Sequence, residues 1–184
     1  MDGELIRAEI KVPGQHQVTN TLAAVRVAKL LGLDMEQMIR GIASVVPIAG
    51  RNRIIQEGNF TLIDDCYNAN PVSMKAALDL LSLADTRKVA ILGDMFELGE
   101  NSDLLHSGVG CYAKGKTDLL ICIGENAKHI YDGAKEAGVA HIYHFTDKES
   151  FLREKENLLQ AGDTILLKAS HGMAFETLIS QLLQ

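Results

Sequence analysis

Between residues 16 and 44 apolar positions recur at helical spacing. Val18, Leu22, Val25, Ala28 and Leu31 share one face of a first helix, and after Gly32 the pair Asp34 and Gln37 forms a capping-box pattern that starts a second. A loop holding Pro47, Ala49 and Gly50 then ends the helical period. Residues 53–57 and 60–63, on either side of Gly58-Asn59, predict a hairpin. We place a domain boundary in the loop before it, dividing 1–48 from 49–184. Beyond the hairpin, short apolar runs at 89–92, 119–123, 142–145 and 164–167 alternate with helical stripes: Met74, Ala77, Leu78 and Leu81; Leu105, Gly108, Val109 and Tyr112; Ala127, Ile130, Tyr131 and Ala134; Phe175, Leu178, Ile179 and Leu182. Residues 147–160 are less regular, although Thr146 with Glu149 offers a capping box. Repeated strand-then-helix units require right-handed crossovers, so the fold class is α/β: a mostly parallel sheet with helices on both faces, preceded by a short helical segment.

The bulk numbers narrow the function classes. With 184 residues, 47% hydrophobic and 23% charged, the chain can bury a sizeable core, and no apolar run approaches the roughly 20 residues that cross a bilayer. The start lacks a basic, then apolar, secretory signal, so a cytoplasmic location is expected. Cys66, Cys111 and Cys122 form no CxxC pair, which fits free thiols in a reducing compartment. A net charge of −6 and the absence of Trp argue against a nucleic-acid partner, which calls for a basic stripe or stacking platform.

Candidate chemistry gathers where strands end. The run Leu62-Ile63-Asp64-Asp65-Cys66-Tyr67-Asn68-Ala69-Asn70-Pro71 passes abruptly from apolar to polar, and Ser73 is available as an N-cap for the helix that follows. Asp94, Glu97 and Glu100 follow the next strand; Lys168, Ser170 and His171 follow the last. Loops at the carboxyl ends of parallel strands line the ligand crevice, and adjacent strand ends lie about 5 Å apart, so three such loops can serve one ligand. Other patterns are rejected. Residues 110–117 fit GxxxxGK[ST], but a phosphate loop leaves a strand and opens a helix, whereas here a helix precedes and a strand follows. His141 and His144, three apart around a short strand, tend to opposite faces, so no metal ligands are assigned. Ser170, His171 and Asp94 could be drawn as a triad, yet there is no GxSxG elbow and no catalytic residue is assigned.

The cluster 64–71 with Ser73-Met74-Lys75-Ala76-Ala77-Leu78, then Leu92-Gly93-Asp94-Met95 with Glu97-Leu98-Gly99, closely resembles the Mur ligases of peptidoglycan synthesis. So do Pro13-Gly14-Gln15-His16, Asn20-Thr21-Leu22-Ala23-Ala24 and Gly50-Arg51, in order and spacing, over roughly residues 12–179. The likeness is greatest to members that add D-alanyl-D-alanine to UDP-N-acetylmuramoyl-tripeptide. It implies a Rossmann-like C-terminal domain at 49–184, with 1–48 as the tail of a central ATPase domain. ATP would convert the tripeptide's terminal carboxylate into an acyl phosphate, which the dipeptide amine attacks. ATP and Mg would be held mainly by the missing central domain, so the missing N-terminal and central domains are partners and the chain alone is expected to be inactive.

By position, the resemblance makes Asn20 an adenine neighbour, Arg51 the interdomain arginine that reaches ATP phosphates, and Asp65 the ribose aspartate. Tyr67, Asn68 and Asn70 line the cleft where nucleotide and dipeptide meet, and Asp94, Glu97, Lys168 and Ser170 are placed on the dipeptide side, with capping as the competing role for Asp94 and Glu97. Gln17 stands where the family usually has Asn, Arg53 where it commonly has Gln, and Ala169 and His171 where it has Gly and Arg. Two alternatives therefore stand: a Mur ligase adding a different residue, and a non-catalytic nucleotide-binding or regulatory module.

Overall fold

A computed structural model describes residues 7–183, in two units divided between Ile48 and Ala49. The first holds α1 (Gln15–Leu30) and α2 (Met35–Ala43). α2 starts as its sequence predicts: Asp34 accepts from the Gln37 amide at 2.8 Å, and the Gln37 side chain accepts from the Asp34 amide at 2.9 Å. The apolar stripe of α1 forms, yet none of its residues is buried, and Val18, Leu22 and Leu31 are exposed.

The second unit runs β1 (Arg53–Glu57), β2 (Phe60–Asp64), α3 (Pro71–Leu81), β3 (Lys88–Gly93), α4 (Ser102–Tyr112), β4 (Leu119–Ile123), α5 (Ala127–Ala137), β5 (Ile142–Phe145), α6 (Lys148–Leu158), β6 (Thr164–Lys168) and α7 (Glu176–Leu182). Its six strands form one sheet in the order β1-β2-β6-β3-β4-β5, antiparallel at the β1–β2 hairpin and parallel elsewhere. Strand side chains alternate between faces, which is why the runs are apolar throughout. Ile63, Ala90, Leu92, Leu120 and Leu166 pack with α3, α4 and α5, while Leu62, Val89, Ile91, Ile121 and Leu167 pack with α6 and α7. Each fully buried aliphatic side chain contributes about 1.5–3 kcal/mol. The insertion of β6 between β2 and β3 sets the carboxyl ends of these three strands side by side.

Three local expectations are corrected. Asn70, not Ser73, is the N-cap of α3: its side chain accepts from the Ser73 amide at 2.9 Å while Ser73 Oγ accepts from the Asn70 amide. Asp147, not Thr146, caps α6, because Asp147 is the extended residue (φ −148, ψ 167) and its carboxylate reaches the Ser150 amide at 2.7 Å. The inward face of α4 is His106, Val109, Gly110 and Ala113 instead of the stripe containing Leu105 and Tyr112. Glycine is the reason. A Cβ on Gly110 would stand 1.9 Å from the Ile130 carbonyl oxygen, and one on Gly133 2.2 Å from that of Ser107, so α4 and α5 meet backbone to backbone. Gly110, the first residue of the false phosphate loop, is thus a helix-packing residue, and Lys116 at its other end pairs with Asp79 at 2.5 Å.

Candidate functional site

The site grows from the end of β2, where two consecutive carboxylates anchor the segment that carries Arg51. Asp64 Oδ2 accepts from the Gly50 amide at 2.8 Å and Asp65 Oδ1 from the Asn52 amide at 3.2 Å, so the amides on either side of Arg51 are fixed to one strand end. Gly50 has φ +77, and a Cβ there would lie 3.2 Å from the Tyr67 backbone nitrogen, so this turn requires glycine. The Tyr67 amide donates to the Gly50 carbonyl at 3.0 Å. The Arg51 guanidinium then lies over the Tyr67 ring, 4.0 Å from its centroid, and Tyr67 in turn neighbours His171 at 5.7 Å. Arg51 and Asp65 are therefore held at the same end of the sheet.

Tyr67, Asn68, Phe96, Glu97, Ser170 and His171 line a hollow of about 450 Å³ to which the loops after β2, β3 and β6 all contribute. Glu97 is exposed in it and adopts φ 62, and Asn52 beside Arg51 has φ 48; positive φ outside glycine is uncommon and gathers at functional sites. The Ser170 hydroxyl accepts from the Phe96 amide at 2.8 Å, and the Ser170 amide donates to the Asp94 carbonyl at 3.0 Å, tying the β3 and β6 loops together.

Several residues expected to face a ligand have other work. The Lys168 ammonium, with its side chain 2% exposed, donates to Asp65 Oδ2 at 2.6 Å and to the Asn68 carbonyl at 2.9 Å. It braces the β2 loop from beneath and does not line the hollow. Asp94 is buried, its carboxylate accepting from the Ala127 amide at 2.7 Å at the start of α5, so capping prevails there. Asn70 lines the hollow, but its side-chain oxygen is occupied by the α3 cap. Asn20 lies on exposed α1 in the other unit, its amide donating to Gln17 at 3.3 Å. Burial first, and then the Asp64 carboxylate, pushes the Cys66 thiol far up; it stays protonated and donates to the Leu167 carbonyl at 3.4 Å. Phe96 and Gly172 join the hollow without having been singled out. Phe96 lies against Gly172, where a Cβ would stand 2.9 Å from its ring, a contact that no sequence spacing signals. Among the described residues no group of three His, Cys, Asp or Glu side chains could hold a metal ion, and no helix is long and apolar enough to cross a membrane.

Comparison with known proteins fits this arrangement. Residues 50–171 match the family described as Mur ligase, glutamate ligase domain. The UDP-N-acetylmuramoyl-tripeptide–D-alanyl-D-alanine ligase of Bacillus subtilis is 31% identical over 180 residues, covering 95% of this chain and 39% of the relative. The ligase of the same name from Synechocystis is 37% identical over 193 residues, covering 100% and 42%. Among solved structures, MurF from Acinetobacter baumannii superposes with a TM-score of 0.88 at 31% identity over 96% of this chain and 39% of that one. The MurF ligase of Thermotoga maritima in complex with ADP shares the fold, with a TM-score of 0.79 at 24% identity over 93% of this chain and 38% of that one. The chain spans about two-fifths of the length of these relatives. On the match across the strand-end loops and the sheet that bears them, the chain belongs to the Mur ligase family.

Proposed function

We propose that this chain is the C-terminal portion of an ATP-dependent ligase that adds D-alanyl-D-alanine to UDP-N-acetylmuramoyl-tripeptide, with 49–184 as its terminal domain and 1–48 as the end of its central domain. The observation that carries this assignment is the convergence of the β2, β6 and β3 loops on one hollow, with Arg51 stacked on Tyr67 beside it.

The donor set suits a nucleotide's phosphate and sugar. The Arg51 guanidinium stacks on Tyr67, which leaves the edge of its planar fork of N–H donors for phosphate oxygens. Asp65 accepts from Lys168 and Asn52 beside Arg51, and an aspartate suits a ribose because a carboxylate accepts hydrogen bonds from hydroxyl donors, which is the contact assigned to it here. Among the described residues no group of three His, Cys, Asp or Glu side chains gathers to hold magnesium, and no step is assigned to it. Asn20, on the first unit, is carried to an adenine contact by the family resemblance alone. When bound, ATP supplies the phosphoryl group that activates the tripeptide's terminal carboxylate. The chain's own residues then serve the acceptor: Glu97 receives the dipeptide ammonium at the rim, while Asn68, Ser170 and His171 supply polar contacts for its peptide and carboxylate. Holding that amine beside Tyr67, Phe96 and His171 restricts its orientation, which raises its effective concentration at the activated carboxyl.

The test is a chimera in which the N-terminal and central segments of the Bacillus subtilis relative precede this chain. Release of phosphate from ATP is expected only when both the UDP-muramoyl tripeptide and D-alanyl-D-alanine are present, and the chain alone is expected to release none. A folded chimera that binds ATP yet ignores the dipeptide would point to the non-catalytic module, and one that prefers another amino acid to a sister ligase.

A further inference from the structure

His106 on α4 is fully buried, and its imidazole joins that helix to the loop that walls the hollow. Nε2 lies 2.9 Å from the Met95 amide nitrogen. An amide nitrogen only donates, so Nε2 must present a lone pair, and the ring proton sits on Nδ1, which donates to the Ser102 carbonyl at 2.8 Å. The next amide, that of Phe96, is taken from the other side by Ser170 Oγ at 2.8 Å. Glu97 follows at φ 62, a conformation that a non-glycine residue keeps only where its surroundings over-determine it. Helix α4 and the β6 loop thus grip consecutive amides, and the strained residue they hold carries the one carboxylate side chain that lines the hollow among the described residues.

We propose that His106 is a positioning residue of the acceptor site: as the neutral Nδ1–H tautomer it holds Met95, Phe96 and Glu97 so that the Glu97 carboxylate meets the ammonium of D-alanyl-D-alanine. The inference rests on the acceptor role proposed for the hollow. It also states something that a histidine merely filling the core does not require, namely one tautomer and a local effect on ligand affinity.

Long-range ¹H–¹⁵N correlation spectra of the ¹⁵N-labelled 184-residue chain read the tautomer directly. Protonated Nδ1 with bare Nε2 is expected, and the opposite tautomer overturns the proposal. In H106L the amide signals of Met95, Phe96 and Glu97 should move and D-alanyl-D-alanine should bind ~10-fold more weakly, equivalent to about 1.4 kcal/mol. In H106Q, whose amide can accept from Met95 and donate to Ser102, affinity should stay within ~3-fold of the original. H106L with unmoved amides and unchanged affinity refutes the role, as does a folded H106Q that loses as much affinity as H106L. Should H106L not fold, the tautomer and H106Q decide. A wild-type chain that binds no dipeptide refutes the acceptor role of the hollow, while the tautomer and the amide signals still judge the positioning role.

Discussion

Replacing Lys168 with methionine keeps the length of the side chain and removes its charge, which tests how the β2 loop is held. The ammonium has 2% side-chain exposure and bonds Asp65 Oδ2 at 2.6 Å and the Asn68 carbonyl at 2.9 Å; its partner Asp65 is 13% exposed. Removing one member of a buried pair typically costs about 3–5 kcal/mol, because the surviving charge is left uncompensated. Asp65 keeps the Asn52 amide and some water, which favours the lower end, ~3 kcal/mol. At roughly 3 °C per kcal/mol for a chain of this size, Tm should fall by about 9 °C. Urea unfolding of K168M, D65L and the double variant forms the cycle. The double variant should recover a substantial part of the loss, since an apolar pair of similar volume is often as stable as a buried ion pair. A K168M loss below ~1 kcal/mol, the scale of an exposed pair, or strictly additive losses, would refute the bracing role.

Other outcomes follow from single contacts. Gly110→Ala drives a Cβ into the Ile130 carbonyl and should cost about 3 kcal/mol or more by urea unfolding, whereas Gly108→Ala, which meets nothing within 4 Å, should be neutral or stabilising. Asn70→Ala removes the α3 cap and should cost ~1 kcal/mol; an unchanged midpoint contradicts the capping box. Bonds from the Ser150 hydroxyl, then from its amide, hold the Asp147 carboxyl below its ordinary value of 3.8. A depressed acid contributes stability that is present above its unfolded value and lost as pH falls through its folded one. Amide protection at the start of α6 should therefore persist down to about pH 4 and fade only below it, and loss between neutrality and about pH 5 would contradict the assignment. In the chimera, Arg51→Lys should raise the KM for ATP by ~10-fold, because an ammonium cannot reproduce the two-pronged contact with phosphate; an unchanged KM removes Arg51 from the nucleotide site.

The alternation of strands and helices was legible because the apolar period switches between elements, and the β1–β2 hairpin because Gly58-Asn59 breaks two extended runs. The inward face of α4 was not. Periodicity counts apolar side chains, and Gly110 packs inward by having none. Caps were misplaced by a few residues where two competent caps are close together, as with Thr146 and Asp147, since only backbone geometry distinguishes them. Strand-end loops were legible as polar clusters, but their convergence depends on β6 entering between β2 and β3, a strand order that alternation alone leaves open. Lys168 and Asp94 show the limit of reading charge as ligand contact. Both sit at strand ends, yet one neutralises Asp65 and the other satisfies the first turn of α5.

Titrating the ¹⁵N-labelled chain with D-alanyl-D-alanine and mapping the shifted amides tests most directly whether the hollow is the acceptor site. Shifts concentrated at Tyr67, Asn68, Phe96, Glu97, Ser170 and His171 are expected. A saturating response confined to the opposite end of the sheet, around Glu57, Asn59 and Gly162, or no response at all, would contradict it.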